Sequence, residues 1–64
     1  MKFHVEFDRE DDGRWIADIP ELPGVMVYGS TKAEAKARAE AVALRVVADQ
    51  IEHSHKAVAV VAFG

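Results

Sequence analysis

Phe3, Val5 and Phe7 alternate with Lys2, His4 and Glu6 at the start of the chain. A period of two with one apolar face predicts a half-buried strand over residues 2–7. Polar residues follow to Asp12-Gly13, a hairpin-turn dipeptide. The same period returns over Arg14–Ile19, with Trp15, Ala17 and Ile19 on one face and Arg14, Ile16 and Asp18 on the other. Trp15 reads either as packed under the helix by that face or, with Tyr28, as an aromatic used in recognition. Pro20 ends the second strand because it has no N–H for a ladder bond.

Both prolines and two of the four glycines fall between Pro20 and Gly29. Pro20 and Pro23 fix their own φ and hold Ile19 and Leu22 extended, while Gly24 can adopt angles closed to other residues. The stretch reads as a stiff corner leading into a short third strand, Val25–Tyr28. Leu22 is pinned at the core edge, and Tyr28 is the aromatic placed to face a partner. Thr31-Lys32-Ala33-Glu34 then fits a capping box, with Glu34 reaching back to the cap. No glycine or proline interrupts residues 32–53, so a helix is expected there. One stripe of it carries Ala33, Ala37, Ala41, Leu44, Val47, Ala48 and Ile51, and this is taken as the core face. A second stripe, Ala35, Ala39, Val42 and Val46, lies almost opposite. It reads either as an oligomer contact or as scattered surface apolarity. Ala57–Phe63 is apolar on both faces and predicts a fourth strand buried on both sides.

The order β-β-β-α-β defines an α+β domain with a mixed four-stranded sheet. A right-handed crossover delivers the last strand beside the first, giving the order 3-2-1-4 with one helix on one face. The last strand is then an edge with neither charge nor proline to guard it. Val58, Val60 and Val61 on that strand join the second helix stripe as candidate oligomer-interface residues, in a dimer or tetramer.

Sixty-four residues make a single domain over 1–64 and a marginal core. Cysteine is absent, which removes disulfides and thiolate metal ligands. The net charge of −3 and the mixed charges along the helix argue against direct nucleic-acid binding. An acidic module suits a basic protein partner better. There is no apolar run of bilayer length and no signal-peptide pattern, so a cytoplasmic location without membrane contact is expected. No cofactor or metal is expected: His53 and His55 form a polar connector, with His53 favourable at a helix C-terminus. Glu6 and Glu40 could contribute to a two-metal nuclease site, but the last strand offers no third carboxylate. No catalytic residue is assigned.

Asp11 to Ala35 resembles the HicB-like antitoxins of bacterial toxin–antitoxin systems. The shared features are an acidic Gly turn (Asp12, Gly13), an aromatic (Trp15), Pro-x-Leu-Pro-Gly (Pro20, Leu22, Pro23, Gly24) and Gly-x-Thr opening a helix (Gly29, Thr31). The resemblance implies a partial RNase H-like fold. It also implies a non-enzymatic protein that binds and blocks a small basic HicA-type, mRNA-cleaving toxin. Pro20, Leu22, Pro23, Gly24, Met26 and Tyr28 are the expected partner-binding residues. Many such antitoxins carry a further DNA-binding domain, which is not expected here. The alternative is a stand-alone homo-oligomeric regulatory or structural module without a toxin.

Overall fold

In a computed structural model describing residues 1–64, the elements are β1 (Lys2–Phe3), β2 (Glu6–Arg9), β3 (Trp15–Asp18), β4 (Met26–Gly29), α1 (Lys32–Ser54) and β5 (Ala62–Phe63). The class is α+β, as the alternation implies. The sheet differs from the expected single four-stranded one. β2, β3 and β4 form an antiparallel meander, and β1 pairs in parallel with β5 as a separate two-stranded sheet.

The expected first strand is thus split at His4-Val5, and the register gives the reason. Glu6 lies opposite Asp18, so continuing the ladder would bring His4 opposite Pro20, which has no N–H to give. The Glu21 carboxylate takes the His4 N–H instead, at 3.1 and 3.2 Å. On the other side of the chain, Val5 N–H donates to the Gly64 carbonyl at 2.9 Å. The alternation survives the break. Phe3 is buried, and Val5 and Phe7 are half-buried on the helix side.

The corner after β3 is two β-turns in tandem. Leu22 N–H donates to Ile19 C=O at 2.9 Å, and Val25 N–H to Leu22 C=O at 3.1 Å. Each turn has proline at its second position, and Gly24, with φ +87°, occupies the left-handed position of the second. Ile19, Leu22 and Val25 are buried as a result.

Thr31 caps the helix, its hydroxyl accepting from Glu34 N–H at 3.0 Å. The reciprocal contact is shifted by one residue from a capping box. The Glu34 carboxylate accepts from the Ser30 hydroxyl at 3.0 Å and the Ser30 N–H at 3.5 Å. The helix closes at His55, in the left-handed conformation with φ 58°, whose N–H donates to Ile51 C=O.

The helix is rotated about a third of a turn from the expected core face, of which Val47 stays buried and Ile51 half-buried. Ala35, Ala39, Ala43 and Val47 are buried against β3 and β4, with Val42, Val46 and Ile51 half-buried beside them. Ala33, Ala37, Ala41, Leu44 and Ala48 face outward. Ala35 and Ala39, read from sequence as an oligomer contact, are fully enclosed within the protomer and have no surface to offer. Only alanine-sized residues let the backbone come this close. A methyl group built on Gly29 would stand 2.5 Å from the Ala35 nitrogen. The last strand also departs from expectation: of the expected Ala57–Phe63 only Ala62–Phe63 is strand, with a bend at Ala59. Val61 and Phe63 turn toward the helix layer, where Phe63 meets Phe3 at 5.8 Å between ring centres, but Val60 and Ala62 stay exposed. It is buried on one side only because a single helix covers a single face.

Candidate functional site

The meander turns its other face to solvent. Phe7, Ala17 and Val27 point toward α1, so Glu6, Asp8, Ile16, Asp18, Met26 and Tyr28 point away from it. Register arranges these six in two rows across the strands. One row runs Glu6, Asp18, Met26; the other runs Asp8, Ile16, Tyr28. Met26 is 60% exposed and Tyr28 39%.

Glu6 and Asp18 are directly opposed like charges, an arrangement that works against the sheet. Glu6, Asp8 and Asp18 have no cationic side chain within ion-pair distance. The chain's ion pairs lie elsewhere: His4–Glu21, Arg14–Asp12, Lys36–Glu40, Arg38–Glu34 and His53–Asp49. Uncompensated carboxylates beside an exposed methionine and tyrosine make a surface suited to a cationic protein with an apolar centre.

Local polar contacts hold the borders of this face. At the hairpin end, Asp12 accepts from Arg14 N–H at 3.0 Å and from Arg14 Nε at 2.7 Å. The Arg14 backbone N–H, reinforced by its side chain, holds the Asp12 carboxyl below its usual range. The Arg14 guanidinium then lies over the Tyr28 ring at 4.7 Å, fixing the phenol's orientation. At the corner, hydrogen bonds from the His4 ring and then the His4 N–H lower the Glu21 pKa. At the helix start, the Ser30 hydroxyl and N–H lower that of Glu34, with Arg38 adding to the effect.

Among the expected partner-binding residues, Met26 and Tyr28 lie on this face. Pro20, Pro23 and Gly24 are exposed at the corner beside it. Leu22 is in the core at 6% exposure, so it supports the corner from beneath and is closed to a partner. Trp15 is half-buried under the helix, with Lys32 and Arg9 over its ring. Glu6 and Glu40 do not converge: Glu6 is on the open face, while Glu40 is on the helix that covers the other one, paired with Lys36. The carboxylate triplet escaped the sequence reading. The signal was there, since Glu6, Asp8 and Asp18 all fall at polar positions of adjacent strands, but a register was needed to bring them together.

The fold and this face describe a small α+β module presenting an acidic, partly apolar sheet surface. Over 35 residues the chain is 40% identical to a UPF0150 protein of Thermoplasma acidophilum, an alignment taking in 55% of this chain and 51% of that protein. The chain therefore matches about half the length of that relative. No family model matches the sequence, and no solved structure does. No helix is long and apolar enough to cross a membrane.

Proposed function

We propose that the chain is a non-enzymatic, antitoxin-like module that binds and neutralises a small basic, HicA-type mRNA-cleaving toxin. The carrying observation is the open meander face. It leaves Glu6, Asp8 and Asp18 outside any ion pair, with Glu6 opposed to Asp18 at a cost in strand pairing, and it leaves Met26 exposed among them together with Tyr28, whose ring carries the Arg14 guanidinium. A basic RNA-binding protein supplies the missing counter-charges, and the two apolar side chains supply a desolvated centre for the contact. The likeness to a UPF0150 protein supports the reading, since that family is related to the HicB-like antitoxins. So do the motif residues Pro20, Leu22, Pro23, Gly24, Gly29 and Thr31. On the same grounds the fold is read as a partial RNase H-like one, with the first strand broken by the Pro20 corner.

The test is capture of partners on tagged full-length chain from native extract, with each captured protein identified and assayed for RNA cleavage. A small basic ribonuclease held at fixed stoichiometry is the expected result. If the chain captures no such protein, or captures one whose RNA cleavage it leaves untouched, the proposal fails.

A further inference from the structure

The two lateral edges of the fold are treated differently by the sequence. The outward edge of β4 is closed by charge: the Arg38 guanidinium donates to the Tyr28 carbonyl at 2.9 Å and is itself paired with Glu34 at 3.0 Å. The edge at β5 has no such guard. Residues 57–63 contain no charge and no proline, two of the devices that keep edge strands from pairing, and shortness is the only one left to the two-residue β5. The ladder to β1 uses alternate residues of this strand. Met1 N–H₃⁺ donates to Val60 C=O, Ala62 N–H to Met1 C=O, Gly64 N–H to Phe3 C=O, and Val5 N–H to Gly64 C=O, each at 2.9 Å. By the alternation of a strand's hydrogen bonds, the N–H and C=O groups of Val61 and Phe63 point away from β1, where no partner meets them.

We infer that this edge is a self-association surface, on which residues 60–63, that is β5 and the two residues before it, pair antiparallel with the same residues of a second copy around a two-fold axis at Val61. The commitment to a second copy rests on self-complementarity. With Val61 opposite its own equivalent, each copy's outward N–H and C=O groups meet the other's, closing a hydrogen-bonded pair at the axis. On the open face the same register places Val60, 65% exposed, against Ala62 of the other copy, a large residue beside a small one. On the helix side it adds cover over the half-buried Val61 and Phe63. An uncharged strand meets its own copy without repulsion, whereas a charged partner strand would gain nothing from it. The two-fold axis runs perpendicular to the sheet, so both open faces point the same way and their carboxylates form one surface. The inference does not depend on the proposed toxin, and either can fail alone.

The test is the solution mass of the full chain across the micromolar range, by light scattering or sedimentation, with three variants. Wild type is expected at twice the 7.0 kDa chain mass. Val60→Lys, altering an exposed side chain, is expected to halve that mass with an unchanged circular dichroism spectrum. Leu44→Lys, on the outer helix face, is expected to leave the dimer intact. Because the chain has no cysteine, Val61→Cys reads the register: two cysteines facing each other across the axis cross-link on mild oxidation, while Val60→Cys, which faces Ala62, does not. A wild-type monomer throughout overturns the inference. So does a dimer that survives Val60→Lys, or cross-linking no better at 61 than at 60.

Discussion

Gly29→Ala is the sharpest test of how β4 and α1 are joined. Gly29 does not have a left-handed φ, so alanine there carries no conformational penalty of its own; the difficulty is space. The added methyl would lie 2.5 Å from the Ala35 nitrogen, 2.9 Å from its Cα and 3.1 Å from its Cβ. Backbone atoms cannot swing aside as a side chain can, so the first helical turn must retreat by roughly 1 Å to reach ordinary contact. Ala35 and Ala39, both fully enclosed, would move with it. Overpacking of this kind costs about 1–3 kcal/mol. Disturbing the Thr31 cap two residues away adds up to ~1 kcal/mol. Against the roughly 3–5 kcal/mol available to a domain this small, that leaves little net stability. In urea, with a slope of about 1 kcal/mol/M, the midpoint should fall by roughly 1–4 M. Trp15 fluorescence and helical circular dichroism both report the transition. Gly24→Ala is the control: φ is +87° but nothing lies within 4 Å of the added methyl. Its cost is conformational alone, about 1 kcal/mol. If Gly29→Ala proves no more destabilising than Gly24→Ala, the close approach of strand and helix is wrong.

Asp18→Asn should stabilise the fold by a few tenths to ~1 kcal/mol in urea melts, because it removes the repulsion from Glu6 directly opposite. The gain should shrink as salt is added. Glu21, Glu34 and Asp12 have folded pKa values below their ordinary ones of 4.5, 4.5 and 3.8. The unfolded chain therefore binds protons first, and the stability these groups contribute is complete above their ordinary values and lost as pH falls through the folded ones. Glu21→Gln should make the acid-unfolding profile shallower, with the reverse change ruling out the role of the His4 contact. Ala39→Lys should abolish the folded circular dichroism signal, because it places a charge in the enclosed helix face. Ala37→Lys, on the outward face, should melt within about 0.5 kcal/mol of wild type.

The strands were legible because their alternation is clean, and the corner because proline and glycine have few uses. The helix start was legible in Thr31 and Glu34, although Glu34 bonds Ser30 and not the cap residue. The phase of the helix was not. Alanine recurs every four residues on two opposite sides of it, and alanine is a good helix former whether buried or exposed. Leu44 and Ile51 favoured one stripe, Val42 and Val46 the other, so counting apolar residues could not decide. What decides is fit. Gly29 demands that the residue above it be small, and Ala35 is that residue. The break at His4-Val5 was hidden for a related reason. It follows from register, which sets Pro20 across from His4, and register is a pairing property that no single strand displays. The acidic face was missed on the same ground.

The open meander face, with Glu6, Asp8 and Asp18 around Met26 and Tyr28, is the central functional claim. Its most direct test is RNA cleavage by a captured basic toxin, titrated with wild-type chain and with a Glu6→Gln, Asp8→Asn, Asp18→Asn variant. All three changes are to exposed or half-exposed positions, and they relieve repulsion, so the variant should fold at least as well as wild type. The expected result is that wild-type chain stops cleavage near equimolar ratio and the folded variant does not. Inhibition by the variant at the same ratio as wild type would contradict the assignment of that face.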